Sequence, residues 1–140
     1  MNPARVTERG LQASNARRAR LRGYRLVFNK VSNTHPELAH ANIMFAPNGE
    51  VEGVLYDLGS VDEILKMDPF ERAPWNYGRD VVALETDQGQ EWAWTYFANM
   101  AVLQEGRLPP KDYLAHLLAG AAFLSDTYVE QLRAHPVGDQ

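Results

Sequence analysis

The chain has 140 residues, 45% apolar and 23% charged, which is enough to bury a core without staples. Its net charge of −4 tells against a nucleic-acid surface, and the absence of cysteine excludes disulfides, thiolate nucleophiles and Cys-based zinc sites. No apolar run nears the roughly 20 residues that span a bilayer, and no signal-peptide pattern opens the chain, so the expectation is one cytoplasmic domain over 1–140 with no membrane partner.

Asn2 followed by Pro3 reads as an N-cap and first helical residue, with Gly10 as the stop. Residues 13–22 are basic and receive no element. Gly23 releases a strand over Tyr24 to Phe28, and Asn33 to Pro36 is loop. Alternation over Ala41 to Phe45 stops at Pro47, Asn48 and Gly49, a tight-turn signal. The next strand, Val51 to Asp57, is expected to pair with the preceding one as a hairpin. Gly53 within it marks a bulge or a close backbone approach.

Ser60 and Glu63 have capping-box spacing, which predicts a short helix ending near Met67 because Pro69 cannot continue it. Tyr77 to Glu85 and Gln90 to Phe97 form a hairpin around Asp87, Gln88 and Gly89. Trp92 and Trp94 share one face of it and are expected to pack under helices. Pro110 starts a helix that Gly120 ends, and Ser125 caps another running to about Ala134, followed by a frayed tail from Pro136. Hairpins without βαβ units predict an α+β fold: a small mixed, mostly antiparallel sheet curled into a barrel with flanking helices.

Glu71 is the leading candidate for chemistry. It lies in a turn among Phe70, Pro74 and Trp75, and water-poor surroundings would raise a carboxyl group into the range of a proton shuttle. The plain alternative is a surface carboxylate paired with Arg72 or Arg79. Arg17, Arg18, Arg20, Arg22 and Arg25 form a basic cluster without interleaved aromatics over 13–22, which reads as a solvated face and not as a nucleic-acid site. His35, His40, His116 and His135 show no metal-ligand spacing, so no metal is expected.

Gly23 to Asn29, Glu52 to Tyr56, Asp68-x-x-Glu71 with Tyr77 downstream, and Trp94, Thr95 and Tyr96 occur in an order that resembles the γ-glutamylcyclotransferase-like family over nearly the whole chain. The resemblance implies release of 5-oxoproline and a free amine from a small γ-glutamyl substrate, without metal or other cofactor. It implies Glu71 as the catalytic acid/base and Tyr77 and Tyr96 as residues lining the substrate pocket. Two departures stand out. Arg72 occupies the place of the glycine that usually follows the catalytic glutamate. Met1 falls just after the position of the family's Tyr-Gly-Ser-Asn loop, whose amides hold the glutamyl head group. A chain lacking that loop and its strand would expose unpaired backbone and could pair with a second copy as a homodimer. A binding or regulatory module that has lost catalysis is the alternative function.

Overall fold

The computed structural model describes residues 2–139. Met1, from which the position of the Tyr-Gly-Ser-Asn loop is counted, lies outside them. The elements in chain order are α1 (Pro3–Glu8), β1 (Ala13–Val31), β2 (Ala39–Leu58), α2 (Glu63–Met67), β3 (Tyr77–Thr86), β4 (Gly89–Ala98), α3 (Lys111–Leu118) and α4 (Asp126–Arg133), with 3-10 turns at Met100–Val102 and Ala121–Phe123. The fold is α+β, with four strands in one antiparallel sheet of order β2-β1-β3-β4.

The sheet stays open, which corrects the barrel expected from the sequence. Closure would need a backbone ladder between the edge strands β2 and β4. A side chain takes its place: Asn42 Oδ1 of β2 accepts the Ala98 N–H of β4 at 2.9 Å. Further along β2, the Ala41 peptide group is satisfied by two tyrosines. Its N–H donates to the Tyr113 hydroxyl at 3.1 Å, and its carbonyl accepts from the Tyr77 hydroxyl at 2.9 Å. A backbone group bonded to side chains in this way offers nothing to a neighbouring strand.

The two long strands carry the largest surprises. β1 starts at Ala13, so the basic stretch is strand. Ala19 and Leu21 are buried while Arg18, Arg20 and Arg22 are exposed, the period-two alternation of a one-sided strand. Two of the arginines find acids on other strands of the sheet: Arg17 pairs with Asp57 and Glu91, and Arg22 with Glu85 and Glu50. β2 does not fold back at Pro47. Both of its halves pair with β1, the partners stepping from Tyr24↔Phe45 to Arg22↔Glu50, so residues 46–49 bulge out opposite Gly23 alone. Gly23 takes φ +80°, the left-handed region that favours glycine. Gly49 returns the bulge to the ladder so closely that a Cβ there would collide with the Tyr24 carbonyl. Gly53 pairs regularly with Ala19 and has open space around it, so it is neither bulge nor close approach.

The helices follow their punctuation more closely. Asn2 caps α1 by accepting the Ala4 N–H at 3.0 Å, and Ser125 caps α4 by accepting the Tyr128 N–H at 3.3 Å. The capping box at Ser60 does not form, because Glu63 turns away to accept the Gln12 N–H at 2.8 Å and the Lys66 ammonium at 2.7 Å. The main core joins the sheet to the C-terminal helices through Phe28, Ala39, Leu114, Leu124, Val129 and Leu132. The end of the chain is tied as well, since Gly138 N–H donates to the Pro109 carbonyl at 3.0 Å. Trp92 and Trp94 are 71% and 42% exposed, so they do not pack under helices as expected.

Candidate active site

A cavity of about 660 Å³ opens where five segments meet: α1, the end of β1 with its following loop, the start of β2, the turn between α2 and β3, and α3. The β1–β2 connection supplies one rim, and α1 lies across from the turn that carries Glu71. Among the sequence candidates, Glu71 and Tyr77 both line this cavity.

Glu71 sits on a tight run after α2. Its N–H donates to the Met67 carbonyl at 3.2 Å, and the Arg72 N–H to the Pro69 carbonyl at 3.2 Å. Arg72 then takes φ +49°, the left-handed conformation for which glycine is the natural occupant. Its side chain is exposed. The glutamate's ionic partner is neither Arg72 nor Arg79. Arg9, at the end of α1, donates to Glu71 Oε1 at 3.0 Å, and both side chains are 22% exposed. The Arg9 guanidinium lies 4.9 Å from the centroid of the Phe70 ring, which fixes the direction from which it reaches the carboxylate. The apolar wrapping expected around Glu71 does not form: Phe70 is 52% exposed and Trp75 80%. Polar and charged neighbours define its surroundings.

Tyr77 spends its hydroxyl on the Ala41 carbonyl, and its ring forms cavity wall. Burial pushes this phenol up, with the fields of Tyr113 and Glu71 adding to the effect. Tyr96 lies apart from the lining. Its hydroxyl donates to Asp68 Oδ1 at 2.7 Å, and Arg79 Nε donates to the same oxygen at 2.9 Å. Burial, then the hydrogen bond to Asp68, raise Tyr96, while the donation from Tyr96 holds Asp68 below the usual carboxylate range. Tyr96 thus braces the chain between α2 and Glu71.

Several cavity residues carried no functional assignment from the sequence. Lys30 is 1% exposed, and its ammonium donates to Asn33 Oδ1 at 3.2 Å and lies 5.9 Å from the Tyr77 ring centroid. Asn76 Nδ2 donates to that same Asn33 oxygen at 3.2 Å. His40 stacks on Tyr113, with ring centroids 4.5 Å apart. Burial lowers its pKa, and Lys30 and Arg5 lower it further. Arg5 Nη2 donates to His116 Nε2 at 2.8 Å. One signal could have flagged part of this group: Arg5 and Arg9 are four apart and share a helix face, whereas a bulge between Phe28 and Lys30 breaks the alternation that would have placed Lys30. No cluster of three or more metal-ligating side chains occurs among the described residues.

The arrangement offers a carboxylate held by one arginine, a buried ammonium lining the same cavity, and the side-chain amides of Asn2, Asn33 and Asn76. It can exchange protons with an amine and hold a small zwitterion.

Similar folds occur among solved structures. A protein described as gamma-glutamyl cyclotransferase superposes with TM-score 0.83 at 22% identity, over 99% of this chain and 84% of its own. An uncharacterized protein from Homo sapiens matches with TM-score 0.75 at 24% identity, over 90% of this chain and 78% of its own. YkqA from Bacillus subtilis matches with TM-score 0.76 at 22% identity, over 98% of this chain and 52% of its own. At these identities the likeness concerns the fold. No curated protein matches the chain significantly. The family model described as "Gamma-glutamyl cyclotransferase, AIG2-like" matches residues 3–115, and the chain belongs to that family.

Proposed function

We propose that the protein is a γ-glutamyl cyclotransferase that releases 5-oxoproline and a free amine from a small γ-glutamyl compound, with Glu71 as general acid and base. The observation that carries this reading is the meeting of Glu71 and the Tyr77 ring in one cavity, with Arg9 fixing the carboxylate.

The substrate's α-amino nitrogen attacks its own γ-carbonyl carbon. A bond forms between them, and the bond from that carbon to the leaving nitrogen breaks. Ring closure turns an ammonium into a lactam N–H and so releases two protons. The amide N–H departs as an ammonium and takes two up. One carboxylate beside both nitrogens can relay them in turn. Because the attack is intramolecular, holding the glutamyl chain in a folded, near-attack shape removes much of the remaining barrier. Arg9 keeps the relay group in a single position, and the Tyr77 ring limits where the chain can lie.

The test is 5-oxoproline release from a panel of γ-glutamyl amino acids, γ-glutamylamines and glutathione. Release from at least one of them, lost in Glu71→Gln, is expected. Silence across the panel from folded protein contradicts the reading.

The Arg9–Glu71 ion pair favours a second reading, a module that binds such ligands without turning them over, because it engages the carboxylate in the ligand-free protein. That reading predicts saturable binding of γ-glutamyl compounds with no 5-oxoproline formed.

A further inference from the structure

Among the described residues, Arg5, Arg9 and Lys30 are the lysine and arginine side chains that line the cavity. Arg9 is held by Glu71, and Arg5 donates to His116. Lys30 differs from both. The residue is 1% exposed, and the one hydrogen bond from its ammonium goes to a neutral amide oxygen of Asn33. An ammonium has three donors, and a lysine almost never becomes fully buried without an acidic partner. The ion pairs among the described residues include none for Lys30. A buried cation that meets a cavity without a protein counter-ion is arranged to receive one from a ligand.

We propose that Lys30 is the receptor for the α-carboxylate of the glutamyl group, which rests on the cyclotransferase reading of this cavity. The reason lies in the substrate's own geometry. Its α-amino and α-carboxylate groups share one carbon, so the groups that receive them must be neighbours. Glu71 is the carboxylate whose field reaches Lys30, offset by that of Arg72, and both Glu71 and Lys30 face the same cavity. The Lys30 ammonium lies 5.9 Å from the centroid of the Tyr77 ring, which forms cavity wall. Asn33 and Asn76, joined through the Asn33 carbonyl, hold the Lys30 side chain from the other side. The ammonium of an α-amino acid then faces Glu71 while its carboxylate faces Lys30. Burial and the Arg72 field lower the Lys30 pKa, which a bound carboxylate would counter. The product 5-oxoproline keeps this carboxylate and binds through the same contact.

The experiment is calorimetric titration of 5-oxoproline and its neutral carboxamide into wild type, Lys30→Met and Lys30→Arg. The wild type should prefer the acid over the carboxamide by at least about tenfold, the strength of a charge-assisted contact. Lys30→Met should erase that preference, and Lys30→Arg should restore part of it. A preference that survives Lys30→Met overturns the proposal, and so does a wild type without one. Should Lys30→Met fail to fold, the wild-type Lys30 side-chain NMR resonance decides: it must move with the acid and not with the carboxamide. Binding is read here without turnover. A Lys30-dependent preference in a protein silent toward the γ-glutamyl panel leaves this contact standing and removes the cyclotransferase reading. Glu71-dependent turnover without that preference does the reverse.

Discussion

The contact between Arg9 and Glu71 is the residue pair on which the site turns. It joins the end of α1 to the turn after α2 across 62 positions of sequence, through one 3.0 Å contact. Both side chains keep 22% of their exposure, and such pairs contribute less than about 1 kcal/mol to stability. Arg9→Met should therefore leave the unfolding midpoint nearly unchanged. It should lower kcat by about tenfold or more, because a small misplacement of a relay group is costly to rate. Thermal unfolding and 5-oxoproline release check both halves, and unchanged kcat would remove Arg9 from the site. Asp68 supplies a pH test at the same scale. Its pKa is held down first by the Tyr96 hydroxyl and then by Arg79, against the opposing effect of burial. A carboxyl depressed in the folded state stabilises it above the unfolded pKa, near 3.9 for aspartate, and that contribution disappears as pH falls through the lower folded value. Urea unfolding from pH 6 downward should show a smaller acid loss in Asp68→Asn than in wild type. Equal losses would mean that Tyr96 and Arg79 do not hold this carboxylate.

Among the elements, the bulge in β2 makes the sharpest claim. Gly49 lacks room for a Cβ against the Tyr24 carbonyl, whereas Gly53 faces open space in a regular ladder. Gly49→Ala should cost about 1–3 kcal/mol, the range for overpacking, while Gly53→Ala should be neutral or slightly stabilising. Denaturant melts of the two variants decide it, and equal effects would contradict the bulge. The bulge is also why the sequence points to a hairpin where β2 runs on. Pro47, Asn48 and Gly49 are turn residues by chemistry, and only the continued pairing with Arg22 reveals that the chain resumes its course. The first half of β1, residues 13–22, gives no strand signal for a related reason: arginine is a weak strand former, and its acids lie on other strands, Glu85 and Glu91 more than 60 residues away. Where punctuation acts locally it was legible, as at Asn2, Ser125 and the turn from Asp87 to Gly89. Ser60 marks the limit of local signals, since Glu63 found a better partner in the Gln12 N–H than in a capping box.

At the scale of the molecule, the open sheet and the cavity have one origin. β1 and β2 run as a long pair whose connecting loop overhangs the space between α1 and α3, and β3 delivers Tyr77 into it. The cavity therefore draws on residues spread from Asn2 to Leu117, which is why local surroundings and the family resemblance pointed to Glu71, and the resemblance to Tyr77, while nothing local marked Arg9, Lys30 or His116. Tyr96, named with them by resemblance, serves the frame through Asp68. No helix among the described residues is long and apolar enough to cross a membrane. The proposed relay of protons by Glu71 in a γ-glutamyl cyclisation is tested by comparing wild type with Glu71→Gln on one accepted substrate, reading 5-oxoproline release and substrate affinity together. Glu71→Gln should lose at least about a hundredfold in kcat, the usual contribution of a general acid/base, with affinity nearly kept. Turnover close to wild type in Glu71→Gln would contradict that relay.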